Sequence, residues 1–354
     1  MKSRFIKWSL LLTLLLVIVP AGSSLAQDTD TEQEPVLPAS HMLYGFTYHA
    51  QMWNNCGPAT LTMGLSYFGY ADGQQRAAQF LKPNQEDKNV SPWQMEAFVN
   101  TQVPEIPVYT MIRYGGTLDL LRELVASGFP TIIELGYDPE RADQGWMGHY
   151  LLVVGYDDAR EVFITHDSYD GESLAYSYDH IQEQWRAFNY VYMPLYEITQ
   201  EPQLNNILGD NTDEFVNVVN AFSLAQAEAT EDPTDPFAWF NMGSNLAMLD
   251  MYDDAATAYD QARNLGLPWR MLWYQFGPYE AYNATGQYET TLLLANNALN
   301  DGGGQYVEET YYYAGIAREA LGQTSRAIDN YNAVINFNPN FTSARERRDA
   351  LQGN

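Results

Sequence analysis

The chain has 354 residues, of which 45 are acidic and 18 basic, for a formal charge of −27. A surface this acidic repels nucleic acid and anionic membranes; a hydrophobic content of 46% with 14% aromatics excludes general disorder and the collagen-like, coiled-coil and disulfide-scaffold classes. The length exceeds one comfortable core, so two domains are expected.

Residues 1–26 read as a signal peptide. Lys2, Arg4 and Lys7 precede an apolar run from Trp8 to Val19, and Ser24 and Ala26 are the small residues that signal peptidase requires. Cleavage is expected after Ala26, with an uncleaved anchor as the alternative. The apolar run is short for a bilayer, no other stretch could span one, and no cysteine near the cleavage site could accept lipid. The mature protein is therefore expected outside the cytoplasmic membrane, secreted or at the cell surface. Residues 27–40 are acidic, with almost no apolar content, and read as a solvated tether.

Residues 41–199 combine a helix-like segment after Cys56 with short β-rich runs at 108–112, 131–135, 150–156 and 162–166. This pattern predicts an α+β domain with helices first and strands after. Gly155-Tyr156-Asp157-Asp158 supplies turn residues for a hairpin between the last two strands. Residues 200–234 read as a linker, with Phe215–Ala229 as a capping half-repeat.

From 235 to 345 the chain matches itself at a shift of 36 residues. Asp250, Tyr252, Ala255, Tyr259 and Ala262 realign with Gly286, Tyr288, Thr291, Ala295 and Ala298, then with Gly322, Thr324, Ala327, Tyr331 and Val334. Trp239, Gly243, Leu246, Ala255, Tyr259 and Pro268 fall near the spacings of the tetratricopeptide signature, which the region resembles. The resemblance implies an all-α solenoid of helix pairs whose aromatics are core and whose concave faces would bind a protein or peptide ligand. Gln275-Phe276-Gly277-Pro278 places a proline where the first helix of the middle unit should run, so that helix is expected to kink or start late.

Cys56 is the single cysteine. A buried free cysteine is ordinarily a small hydrophobe, but this one has different neighbours. Polar Asn54 and Asn55 precede it as candidate caps, Pro58 suits a first turn, and Leu61, Leu65 and Phe68 outline an apolar face. Cys56 thus lies at or just before a helix N-terminus, where backbone N–H groups and the helix dipole favour a thiolate. A thiolate nucleophile needs a base, an orienting group and oxyanion donors. Of the five histidines, His41 precedes the folded region, His49 lies close to the thiol in sequence, and His180 sits in a polar stretch. His149 follows Gly148 and opens the strand from Tyr150 to Tyr156. Asp167, ending the next strand, can reach its ring across the hairpin, whereas His166 reads as a packing or surface neighbour.

Gln51, Cys56-Gly57-Pro58-Ala59, Gly148-His149-Tyr150 and His166-Asp167 together resemble family thirty-nine of the cysteine peptidases. That papain-like group contains the bacteriocin-processing, double-glycine leader peptidases and stand-alone secreted relatives. The resemblance spans roughly residues 41–196. It implies Cys56 as nucleophile, His149 as general base and then acid, Asp167 as orienting carboxylate, and Gln51 with the Cys56 N–H as oxyanion donors. Gln51 precedes Cys56 by five positions, where six are expected in papain and the transporter-linked peptidases, so Asn54 or Asn55 stands as a substitute. No nucleotide-binding or membrane domain follows, so leader-peptide specificity is not transferred.

Asp157-Asp158 and Asp250, Asp253 and Asp254 read as solvated turns or helix caps. Histidine and cysteine spacing contains no zinc motif, and Gly302-Gly303-Gly304 lacks the lysine of a phosphate loop and reads as a flexible turn. No cofactor is expected. The sequence predicts a secreted thiol peptidase with a peptide or protein substrate in its groove. Two alternatives share these residues: a catalytically silent binding protein, and a thioester-forming acyl transferase. The acidic surface favours cationic peptides, a charge argument that decides little.

Overall fold

The computed structural model describes residues 37–137 and 145–353; the predicted signal peptide and most of the acidic tether lie outside the described residues. The first part begins with β1 (Ser40–Met42), so His41 is not ahead of the fold but paired with Tyr156. Three helices follow: α1 (Cys56–Ser66), α2 (Gln74–Leu81) and α3 (Pro92–Gln102). Then come β2 (Val108–Thr110), α4 (Leu118–Ala126), β3 (Thr131–Tyr137), β4 (Met147–Asp157), β5 (Val162–Asp167), β6 (Gly171–Ser177), α5 (Tyr178–Trp185) and β7 (Tyr192–Glu197). The strands form one antiparallel sheet in the order β2-β7-β3-β4-β5-β6, with β1 also on β4.

Period-two alternation along β4 divides the core. Leu151 and Val153 face a layer holding Leu121, Leu124 and Val125 of α4, while Tyr150, Leu152 and Val154 face α1 through Leu61 and Leu65. Helix α1 is wedged so deeply that Gly57 to Leu65 are all buried, rather than presenting one apolar face; Phe68 lies beyond its end. Asn55 occupies the cap position, but neither asparagine side chain caps the helix. The β4–β5 turn also falls later than predicted, after Asp157, because Gly155 pairs with Ile164 beside a register shift.

The rest is helical: α6 (Glu201–Leu208), α7 (Glu214–Glu231), α8 (Pro236–Met248), α9 (Tyr252–Leu265), α10 (Gly277–Ala284), α11 (Tyr288–Leu299), α12 (Glu308–Ala320), α13 (Thr324–Phe337) and α14 (Thr342–Gln352). Successive helices from α7 to α14 pack in sequence, and α7 occupies the predicted half-repeat. The fold class is thus an α+β domain followed by an all-α stack of helix pairs. Small residues make the close approaches. A Cβ on Gly243 would lie 2.9 Å from the buried Tyr259 ring, and one on Gly315 would lie 2.5 Å from the Tyr331 ring. In the middle unit the first helix starts late: a single 3-10 turn, Met271–Trp273, precedes α10, whose second residue is Pro278.

That late start releases the segment from Trp269 to Phe276 to lie against the α+β part. Trp273 and Tyr274 share a core with Phe188 and Val191. Asn189 and Asn245 exchange side-chain hydrogen bonds of 2.7 and 3.2 Å, and Gln275 Nε2 donates to the Ala187 carbonyl at 2.8 Å. The two parts accordingly form one unit from Leu37 onward. Among the described residues, no helix is long and apolar enough to cross a membrane.

Candidate active site

Cys56 is the first residue of α1, half-buried, and its N–H is among the donors that a helix start leaves without an intrahelical partner. His149 lies on β4 and Asp167 at the end of β5, where Leu151 is the direct partner of Asp167. The two side chains therefore meet diagonally across the hairpin, and His149 Nε2 lies 2.8 Å from Asp167 Oδ1. With Nε2 so engaged, Nδ1 is left for the Cys56 thiol, to which the ring is hydrogen-bonded. Strand β4 starts at Met147, so His149 is already within the sheet rather than at its mouth, and is only 5% exposed.

Asp167 is held from several sides. Oδ1 also accepts the backbone N–H groups of Tyr169 at 2.8 Å and Asp170 at 3.1 Å, and Oδ2 accepts the Tyr176 hydroxyl at 2.9 Å. Burial favours the neutral acid, but the His149 hydrogen bond and charge, together with those amides, bring its pKa below the usual value. For Cys56, burial alone would raise the thiol pKa. The His149 hydrogen bond and charge, the Gly57 N–H and the Lys82 charge reverse that and lower it. His149 is pushed in the complementary direction: burial disfavours its cation, but Asp167 and Cys56 raise it to about 10. The two shifts run in the directions that favour a thiolate and an imidazolium, with the carboxylate orienting the ring.

Gln51 lines the same cleft as Cys56 and His149. Its Oε1 accepts from Ser168 Oγ at 3.0 Å and its backbone N–H donates to the Ser168 carbonyl at 2.8 Å. Ser168 thereby takes the oxygen of the amide and leaves the Nε2 donor for another acceptor. The substitutes are otherwise committed. Asn55 is buried and donates to Gln74 Oε1, while Asn54, in the left-handed region at φ 54°, binds the Gln85 and Glu86 carbonyls and Lys88. His166 is a packing residue, edge-on to Phe46, with Nδ1 accepting the Ser173 N–H. His49 is not among the residues lining the cleft, and His180 stacks on Tyr176.

The cleft encloses about 470 Å³, and one wall belongs to the repeats. Arg270, Trp273, Tyr274 and Gly302 line it together with Trp53, Lys88 and Tyr137. Tyr274 packs so closely on Gly148 that a Cβ there would lie 2.9 Å from its ring and 2.8 Å from Phe188. Within the triglycine turn Gly302 faces open space while Gly304 is closely packed: a Cβ there would lie 1.9 Å from the Ala298 carbonyl oxygen. None of these repeat-side residues stands at a catalytic spacing; the available signal was the proline-interrupted helix of the middle unit. Glu134, a lone acid within an apolar strand, was a second. Buried between Ile133 and Leu135, it is pushed well above the usual carboxyl range by burial, against a hydrogen bond from Tyr150.

Among curated proteins, none matches the chain. Among solved structures, a putative C39-like peptidase from Bacillus anthracis is 14% identical, with 45% of this chain and 98% of that one covered and a TM-score of 0.36. MamA, residue 41 to the end, from Desulfovibrio magneticus RS-1 is 17% identical, with 47% and 83% covered and a TM-score of 0.35. Residues 44–193, which hold the whole Cys56–His149–Asp167 constellation, match the family described as Peptidase_C39 like.

Proposed function

We propose that this protein is a cysteine peptidase that hydrolyses peptide bonds through Cys56, His149 and Asp167. The observation that carries this is the hydrogen-bonded chain from Asp167 through the His149 ring to a thiol at a helix N-terminus. The match of residues 44–193 to a C39-like peptidase family supports the same chemistry.

In this reading the Cys56 thiolate attacks the scissile carbonyl carbon. The oxyanion that forms is held by the Cys56 N–H and Gln51 Nε2. Imidazolium His149 then protonates the leaving amine as the C–N bond breaks, leaving a thioester on Cys56. Neutral His149 takes a proton from water as its oxygen attacks the thioester, releasing the acid and regenerating the ion pair. The basic, apolar and small-residue succession over 1–26 supports export, and the helical repeats support a role in presenting a protein or peptide ligand.

The test is labelling of the full chain by a peptide-like thiol electrophile, read by intact mass, with a peptide-library digest alongside. Wild type is expected to label fast near neutral pH and His149→Ala to lose that rate. Cys56→Ser is expected to lose hydrolysis by several orders of magnitude. Products one water heavier than the substrate are expected, rather than joined substrates. Slow labelling independent of His149, or hydrolysis retained by Cys56→Ser, would remove this reading.

A further inference from the structure

A loop without regular structure has to find partners for its backbone polar groups, and the loop that carries Gln51 toward Cys56 finds two of them on one side chain. Gln74 is the first residue of α2 and only 5% exposed. Its Nε2 donates to the Ala50 carbonyl at 2.9 Å. Its Oε1 accepts the Met52 N–H at 2.8 Å and Asn55 Nδ2 at 3.1 Å. A primary amide has one oxygen with two lone pairs and two N–H donors. Gln74 thus commits its whole oxygen and one donor to residues 19 to 24 positions before it.

The placement of those partners is informative. Ala50 and Met52 are the residues on either side of Gln51, and Asn55 adjoins Cys56. A turn hydrogen bond from the Asn55 N–H to the Met52 carbonyl at 3.0 Å closes the loop between them. Gln51 itself is tied to the end of β5, where Ser168, buried next to Asp167, accepts its N–H and donates to its Oε1. The residue is therefore fixed twice: its backbone by Gln74 on both flanks, and its side chain by Ser168. Both sets of contacts leave the Nε2 donor of Gln51 to the cleft that it lines. A donor stabilises an oxyanion only from about 3 Å, and a displacement of about 1 Å costs on the order of a hundredfold in rate, so what holds this loop decides what Gln51 can do.

We propose that Gln74 is a positioning residue of the reaction, clamping the residues on either side of Gln51 so that the Gln51 amide faces the place where the oxyanion forms. Gln74 is not among the described residues that line the cleft, and it acts through Gln51. The proposal rests on the reading of this cleft as a cysteine peptidase site with Gln51 as an oxyanion donor.

The experiment uses the full chain and two reactions of Cys56. Hydrolysis of a peptide cut in the library digest develops an oxyanion. Alkylation by iodoacetamide does not, because the thiolate sulfur bonds to carbon as iodide leaves. Gln74→Ala is expected to lower kcat about ten- to a hundredfold with KM nearly unchanged, while the alkylation rate and its pH dependence stay within about twofold of wild type. Gln74→Glu keeps the acceptor for Met52 and Asn55; it is expected to lose less, and it carries the same comparison if the alanine variant does not fold. Gln51→Ala removes the donor itself, so adding Gln74→Ala to it is expected to cost less than about twofold more. In hydrogen exchange the Met52 N–H is expected to exchange about tenfold faster in Gln74→Ala while the amides of α1 keep their protection.

Equal losses of hydrolysis and alkylation, or a Gln74 effect undiminished in the Gln51→Ala background, would overturn the proposal and leave the peptidase reading standing. Wild type that hydrolyses no peptide, with labelling indifferent to His149→Ala, would overturn the peptidase reading and this proposal with it.

Discussion

A thiol at the first residue of a helix meets outward-pointing N–H groups, and Cys56 adds to them the Gly57 amide, the Lys82 charge and the His149 ring. In the proposed reaction the reactive form is the ion pair, and the pH limits of that reaction follow from the direction of each shift. As pH falls through the lowered Cys56 value, the thiolate is protonated and both alkylation and hydrolysis are lost. As pH rises through about 10, His149 gives up its proton, so hydrolysis is lost while the thiolate continues to alkylate. A pH profile of the two rates on one preparation is expected to show hydrolysis as a bell and alkylation as a plateau. Asp167→Asn keeps one acceptor oxygen for the two amides and places an NH2 where Oδ2 accepted the Tyr176 hydroxyl, and it removes the charge that stabilises imidazolium. It is expected to lower kcat/KM by about two to four orders of magnitude and to move the alkaline limb of the bell down in pH. Cys56 and Asp167 were legible because each stands at an element boundary, and His149 because it begins the apolar run of its strand. The hold of Ser168 on Gln51 was not, because that contact joins residues 117 positions apart through a loop with no periodicity.

At the scale of the element, the helix pairs were readable from the 36-residue shift, since each repeat must place small residues where two helices touch and aromatics where pairs stack. Gly243 tests this directly. An alanine there would normally favour a helix, but its Cβ would sit 2.9 Å from the fully buried Tyr259 ring. Gly243→Ala is expected to destabilise by about 1–3 kcal/mol in denaturant unfolding; a neutral or stabilising result would contradict the packing described. The strands were less legible. β1 has only three residues, and β6 is partly exposed and polar in sequence. β7 carries Pro194, whose missing donor argues against a strand, yet it sits between β2 and β3. For β1 and β7 cross-strand partners distant in sequence, and for β6 pairing with the adjacent β5, make the strand rather than local propensity.

Across the whole molecule, the α+β part and the repeats are joined by a polar seam as well as by the Trp273–Tyr274 core. Asn89 Nδ2 donates to Glu309 Oε1 at 3.2 Å across the seam, and Asp87 is hydrogen-bonded to Glu308, which within the repeats also accepts Asn338 Nδ2 at 2.9 Å; all of these residues are buried. Burial, and then the Glu308 charge, push Asp87 and Glu309 well above the usual carboxyl range. A carboxyl whose pKa is raised on folding binds its proton more tightly in the folded state, so its contribution to stability is full below the unfolded value and is lost as pH rises toward the folded one. Glu309→Gln keeps the acceptor for Asn89 without the charge. It is expected to raise the thermal midpoint at pH 8 by about 2–4 °C and to flatten its decline from pH 5 to pH 8; an unchanged slope would remove Glu309 as the titrating group.

The sequence by itself determined the fold class of both parts, the repeat period and the candidate thiol, base and carboxylate. Each of these is written in short-range terms: a cap and an apolar helix, an alternating strand, a small residue at a fixed spacing. Only the tertiary structure decided that the cleft is walled by the middle repeat and that Lys88 and Arg270 both line it. Lys88 and Arg270 lie 182 positions apart in one sequence, and nothing local to either says that they share a surface. Their meeting depends on where a proline-delayed helix leaves its leading segment, and on the buried interface between the two parts.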